Sequence, residues 1–186
     1  MRPLSHSSGP RSNSYSESKF TNWTVYDPFF TEARTALKRF GGRIPEVPTF
    51  PHVIVLRPQL SDFIHACSRE QVVWRLEKMP AASLQGLRAV FLLAGTRKQE
   101  RLWQNRFGCY GLYLRPWVFL CAHPFFLGYS DRDALRDFYL DDVLVHEIAH
   151  HVDRERMANK KTKEAFAHAY VQRVSSFAKG KLKRRS

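Results

Sequence analysis

The sequence predicts an α+β domain in which a small, mostly antiparallel sheet packs against two consecutive helices near the C-terminus. Three observations predict this class. Short apolar runs typical of strands alternate with helical patterns up to residue 122. The apolar fraction of 44% and the aromatic fraction of 13% are those of a folded globule. Two helical patterns, at 141–156 and from residue 162 to about residue 177, then follow each other with a short link.

The first elements begin at residues that favour helix starts. Asp27-Pro28 provides an N-cap followed by proline at the first helical position, and this helix stops at a pair of glycines. Residues 53–56 form a short buried strand. A second helix is expected at about residues 69–79, because Ser68 can cap it and Gln71 occupies the capping-box position.

The middle of the chain predicts further strands. Residues 87–93 form a core strand, and residues 107–122 form two strands joined by a turn near Arg115-Pro116. Residues 110–114 or 117–121 are candidates for an edge strand, whose free backbone groups would pair with an extended peptide. The polar link from 123 to 140 is expected to be a loop, which ends where Asp141 caps the next helix.

Residues 143–153 contain the strongest chemical signal, the HExxH sequence formed by His146, Glu147 and His150. In a helix the two histidines lie one turn apart on the same face. That spacing allows both imidazoles to bind one Zn²⁺ and turns Glu147 towards a metal-bound water as a general base. The adjacent His151 points about 100° around the helix and is expected to be a partly buried or surface histidine rather than a ligand. Apolar residues on the opposite face bury the helix: Leu144, Val145, Ile148, Ala149 and Val152.

This motif, together with the downstream segment 162–170, resembles the zincin metallopeptidases, in particular the compact gluzincin branch. In that branch a glutamate on the following helix is the third metal ligand. Glu164 is the only acidic residue of the downstream segment and stands among alanines, which allow close helix packing. The resemblance therefore implies one Zn²⁺ held by His146, His150 and Glu164. It also implies peptide-bond hydrolysis with Glu147 as the base.

Two other residues compete with Glu164 for the position of third ligand. His168 follows it by one helical turn, and a histidine ligand there would resemble the site of SprT-like proteases. Asp153 is three residues after His150, too close along one helix to complete a tetrahedron easily. A residue that does not bind the metal would suit a supporting role, holding a ligand imidazole by its other ring nitrogen. His168 and Tyr170 are also candidates for stabilising an oxyanion.

Length and composition indicate one domain between two tails. Residues 1–24 form a Ser-rich tail, residues 25–178 the zincin-like domain, and residues 179–186 a basic tail. The three cysteines form no CxxC pair, which argues against a cysteine zinc site or a disulfide framework. The N-terminus has no apolar signal core, and no run approaches the roughly 18 apolar residues of a membrane span. We therefore expect a cytoplasmic protein with no membrane partner.

The net charge of +13 is compatible with a function that includes binding to an anionic partner. Residues 151–186 carry 11 Lys and Arg against 3 Asp and Glu. Such a segment can bind phosphates or an acidic protein. A DNA- or nucleoprotein-associated protease is therefore an alternative to a peptidase that acts on a protein or peptide substrate alone. A non-catalytic zinc-containing binding module is the other alternative. It would close the site with four protein ligands, for instance with His168 added to His146, His150 and Glu164.

Overall fold

A computed structural model of the chain describes residues 27–58, 60–127, 131–153 and 160–183. The tail predicted at residues 1–24 lies outside these ranges, as do residues 184–186 of the basic tail. The described elements, in chain order, are α1 (Asp27–Phe40), β1 (His52–Val55), β2 (Phe63–Ile64), α2 (Arg69–Glu77), α3 (Ala81–Leu84), β3 (Ala89–Leu92), α4 (Arg97–Gln104), β4 (Gly111–Leu114), β5 (Trp117–Leu120), β6 (His123–Pro124), α5 (Arg132–Asp137), α6 (Leu144–Val152) and α7 (Lys160–Lys183).

The fold is α+β, with a mixed four-stranded sheet in the order β1-β3-β5-β4 and a separate two-stranded sheet of β2 and β6. In the larger sheet β1, β3 and β5 run parallel, and only β4 is antiparallel to its neighbour. The prediction of a mostly antiparallel sheet is therefore wrong. A crossover that contains α2 and α3 joins β1 to β3, so these two strands pair in parallel. Between β3 and β5 the chain passes through α4 and the antiparallel strand β4, so β5 again runs parallel to β3.

The position of each strand decides which of them has a free edge. β5 lies between β3 and β4, and each of its residues is buried. Its candidacy as a peptide-pairing strand, at residues 117–121, is therefore wrong. β4 is a terminal strand of the sheet, so the prediction that residues 110–114 form an edge strand is confirmed. Whether a peptide pairs with it stays a prediction.

The sheet lies between two layers of helices, because successive strand residues point to opposite faces. Ala89, Phe91, Trp117 and Phe119 pack with α1 and α4 on one face. Val90, Leu92, Val118 and Leu120 pack with α2, α6 and α7 on the other. α6 is therefore held on the sheet by buried apolar residues while its opposite side faces α7. No helix in the described part of the chain combines the length and apolarity needed to cross a bilayer.

The N-cap and capping-box residues in the sequence predicted the starts of α1 and α2 correctly. The capping box of α2 forms as expected, since Ser68 Oγ accepts from the Gln71 backbone N–H and Gln71 Oε1 accepts from the Ser68 N–H. The same arrangement begins α4, where Thr96 caps and Gln99 returns the hydrogen bond. α4 was not predicted, although its Thr-x-x-Gln capping signal is present in the sequence.

The loop predicted before the metal-binding helix is largely helical instead. α5, a π-helical segment at Phe138–Val143 and α6 follow one another without a break. The N-cap at the start of this run is Asp131, whose carboxylate accepts from the N–H groups of residues 133 and 134. Asp141 is therefore not an N-cap. It lies in the π-helical segment and forms an ion pair with Arg75 of α2 at 2.7 Å. The helix extends because its inner face is apolar and buried at Leu135, Tyr139, Leu140 and Val143.

Candidate metal centre

α6 carries both HExxH histidines on the side that faces α7. Leu144, Val145, Ile148 and Ala149 on the other side are inaccessible and fix the rotation of the helix against the core. His146 and His150 consequently lie at the surface of the core, with side chains 21% and 18% exposed. Their Nε2 atoms are 3.1 Å apart. The prediction that the motif is helical, with its histidines on one face, is confirmed.

α7 brings Glu164 to this pair. Its carboxylate oxygens lie 3.2 Å from His146 Nε2 and 3.8 Å from His150 Nε2. Ligands at about 2.0–2.1 Å from a tetrahedral zinc ion would be about 3.3 Å from one another. The three side chains therefore have the separations that one small divalent ion requires. Close approach of the two helices is possible because Ala167, one turn along α7, is small and completely buried.

His168 lies beside the same group. One ligand atom from each of His146, Glu164 and His168 falls within 4.8 Å of the others. The imidazole rings of His146 and His168 are 5.2 Å apart and inclined at 63°. Unlike the other two members, His168 is exposed, so it approaches the group from the solvent side. His146 and Glu164 therefore have two neighbouring donors, His150 on α6 and His168 on α7, and His150 is not itself a member of the group that includes His168.

The two remaining candidates have other surroundings. Asp153 ends α6, where its N–H donates to the carbonyl of Ala149, and its charge acts on His150. Tyr170 is buried, and its hydroxyl donates to Ser83 Oγ. An oxyanion role for Tyr170 would require this hydrogen bond to break, so that role stays a prediction.

Both candidate ligand imidazoles favour the neutral form that binds metals. Burial lowers the pKa of His146, and the neighbouring His150 lowers it further. Burial also lowers the pKa of His150. The charge of Glu164 opposes both shifts without reversing them. A neutral imidazole offers a free nitrogen lone pair, so the site is prepared for a cation rather than for a proton.

Glu147 is the buried carboxylate of the site. It packs against Gly111 of the edge strand, where an added Cβ would lie only 2.9 Å from both Cγ and Oε1 of Glu147. Burial raises the pKa of Glu147 to about 8, and the charge of Glu164 contributes to this shift. The sequence did not identify Gly111 as part of the site. The only available signal was a glycine in a strand, which often marks a close approach of another group.

His151 is buried, whereas the sequence predicted a partly buried or surface histidine, and its hydrogen bonds go to residues other than the candidate ligands. Its Nε2 lies 3.0 Å from the carbonyl of Gln85, and its Nδ1 lies 3.1 Å from the Tyr113 hydroxyl. A carbonyl only accepts, so Nε2 donates to Gln85, and Nδ1 shares a hydrogen bond with the Tyr113 hydroxyl. This side chain joins α6 to the edge strand β4 and holds the two walls of the site together.

Comparison of the chain with protein-family models, with curated proteins and with solved structures gave no match. The interpretation of the site therefore depends on its own residues. Two imidazoles and a carboxylate, with a buried glutamate beside them, form a group that can hold a divalent metal ion.

Proposed function

We propose that this chain is a zinc-dependent metallopeptidase that hydrolyses peptide bonds of a protein substrate. The observation that carries the proposal is the convergence of His146, His150 and Glu164 at 3.1–3.8 Å, with the buried Glu147 carboxylate on the same helix. Two imidazoles and one carboxylate form a common ligand set of catalytic zinc, which leaves one position for water or substrate. A purely structural site would have no use for Glu147.

The metal and the protein would divide the chemistry between them. Zn²⁺, when bound by His146, His150 and Glu164, supplies a Lewis acid that polarises a carbonyl and makes water a better nucleophile near neutral pH. Glu147 takes a proton from the attacking water and returns it to the leaving amine. Burial excludes competing solvent from this side chain.

The edge strand supplies a surface for the substrate backbone. Within the described residues β4 is a terminal strand of the sheet, and a strand in that position can add an extended segment of a substrate protein. Gly111 lies in this strand and contacts Glu147. A peptide that pairs with β4 therefore runs past the base, which supports hydrolysis of an extended chain rather than of a compact small molecule.

The test compares wild type, Glu147→Gln and the control Glu77→Gln, in which an exposed glutamate of α2 is changed. Each protein is loaded with zinc, its metal content is measured by elemental analysis, and a mixed peptide library is searched by mass spectrometry for new termini. We expect about one zinc per chain in all three proteins and cleavage by wild type and Glu77→Gln only. Equal cleavage by Glu147→Gln would contradict the assignment of the base. Zinc that stays bound in His146→Ala would contradict the assignment of the site.

A further inference from the structure

Two facing helices contribute two pairs of donors to the metal centre, and each pair has a spacing of four residues. α6 presents His146 and His150, and α7 presents Glu164 and His168. Residues four apart lie on the same face of a helix, so both pairs face the contact between the two helices. His146 and Glu164 are the shared members: His150 lies 3.1 Å and 3.8 Å from them, and His168 has a ligand atom within 4.8 Å of theirs. A catalytic zinc site needs only three protein ligands, so one of these four donors has no role in the proposed function.

The distance of His168 from His146 is similar to that between the two candidate ligands His146 and His150. The centroids of the His168 and His146 rings are 5.2 Å apart, and the two ring planes are inclined at 63°. The centroids of the His146 and His150 rings are 4.7 Å apart, with the planes inclined at 83°. The ligand atom of His168 is within 4.8 Å of those of His146 and Glu164. The ligand atoms of a tetrahedral zinc site are about 3.3 Å apart. The ligand atom of His168 would therefore have to move at most about 1.5 Å closer to those of His146 and Glu164 to reach this separation.

We propose that His168 is a reversible fourth protein ligand of the metal, and that its departure opens the position at which the substrate reacts. The inference rests on the proposed function, because it assumes the metal site formed by His146, His150 and Glu164. A metal with four protein ligands has no position for water or substrate, so the resting protein is inactive.

The surroundings of His168 suit a ligand that leaves. It is exposed, whereas His146 and Glu164 are of intermediate burial. Its side chain can turn into solvent without opening the core, whereas His146 and His150 are held by the buried face of α6. Glu164 stays in place on the same helix, so three ligands retain the ion when His168 departs. A substrate seated along β4 would compete with this imidazole for the fourth coordination position.

The test uses the full-length protein loaded with Co²⁺, whose visible absorption reports the number and kind of ligands. Wild type is compared with His168→Ala and with His52→Ala, which removes an exposed histidine of β1. Azide is the probe of an open coordination position. The affinity for Co²⁺ is measured in parallel by competition with a chelator.

We expect the wild-type and His52→Ala spectra to agree and to respond weakly to azide. The spectrum of His168→Ala should differ from both, and azide should bind this variant at least about tenfold more tightly. Loss of a direct ligand should weaken Co²⁺ binding by more than the about 10–100-fold typical of a lost supporting hydrogen bond.

Identical spectra and identical azide titrations in wild type and His168→Ala would overturn the inference and leave the three-ligand peptidase intact. The inference also fails if Co²⁺ binds more weakly to His168→Ala but its spectrum is unchanged, because His168 would then act without touching the metal. Failure of wild type to bind Co²⁺, or undiminished binding by His146→Ala, would instead overturn the metal site itself and with it the proposed function.

Discussion

Gly111 of the edge strand and Glu147 of α6 touch because glycine has no side chain. An added Cβ on Gly111 would lie 2.9 Å from Glu147 Oε1 and 2.7 Å from Val143 Cγ1. Ordinary carbon atoms do not approach this closely, so any larger residue would push β4 away from α6 or displace the carboxylate. The contact places the expected base directly beside the backbone with which a substrate would pair.

Gly111→Ala should therefore reduce peptide hydrolysis by about 10–100-fold, because a displacement near 1 Å misaligns the base. The free energy of unfolding should fall by about 1–3 kcal/mol, as for other overpacked sites. Zinc should remain bound, since Gly111 contributes no ligand. The control is Gly42→Ala, because nothing lies within 4 Å of a Cβ added at Gly42. Full activity of Gly111→Ala would show that the contact has no part in catalysis.

Glu164→Ala should lose its bound zinc, whereas Asp153→Ala should keep it. The reason is distance, since Glu164 lies 3.2 Å and 3.8 Å from the two imidazole nitrogens. Asp153 is the residue after the end of α6, three positions after His150. Elemental analysis of both purified variants beside wild type distinguishes the two residues. The reverse result, with zinc lost only from Asp153→Ala, would transfer the third-ligand position to Asp153.

Asp141→Ala should destabilise the helix that leads into the site. Arg75 is 2% exposed, and its Nε lies 2.7 Å from the carboxylate of Asp141, which is 50% exposed. Its Nη2 makes no hydrogen bond within the described residues, so removing Asp141 takes away a close counter-charge from a buried guanidinium. We expect a loss of about 2 kcal/mol, less than for a fully buried pair. Denaturant unfolding measures it, and Asp133→Ala, at an exposed ion pair, is the control. Equal stability of the two variants would contradict the expected role of the pair.

Glu32 should make stability depend on pH. Burial raises its pKa above the ordinary value of 4.5, although hydrogen bonds from Gln99 and from the backbone of Gly95 and Ala94 oppose the shift. The folded protein therefore binds this proton more tightly than the unfolded chain does. Its contribution to stability is fully present below pH 4.5 and is lost as the pH rises through the folded-state pKa.

The corresponding experiment measures the free energy of unfolding of wild type and Glu32→Gln from about pH 4 to about pH 7. This range covers the pH values over which the contribution of Glu32 to stability is expected to be lost. The variant cannot titrate at this position, so wild type should lose stability relative to it as the pH rises. A constant difference between the two proteins would show that Glu32 titrates equally in the folded and unfolded states.

An association with nucleic acid stays a prediction. It depends on the basic residues of the C-terminal segment, and the described structure adds only that α7 continues to Lys183. Charge of this kind supports binding to any polyanion and does not by itself distinguish DNA from an acidic protein.

The sequence by itself determined the elements whose causes are local. The capping boxes at Ser68 and Thr96 depend on residues three apart, and the common face of His146 and His150 depends on residues four apart. Such interactions form within one or two turns of a helix, so a pattern read along the chain is enough to predict them. The prediction of Glu164 as a ligand depended instead on the resemblance to the gluzincins. In the structure its carboxylate lies 3.2 Å from His146 Nε2 and 3.8 Å from His150 Nε2.

Only the tertiary structure decided what depends on residues that are distant in sequence. The parallel direction of β1, β3 and β5 follows from crossovers that no single strand encodes. Gly111 meets Glu147 across 36 positions of sequence, and Arg75 pairs with Asp141 across 66. The position of His168 as a fourth donor depends on how α6 and α7 pack, which is set by the burial of small apolar residues such as Ala149 and Ala167 between the helices and the core. Packing of this kind is a property of the whole assembled core, and a local pattern does not contain it.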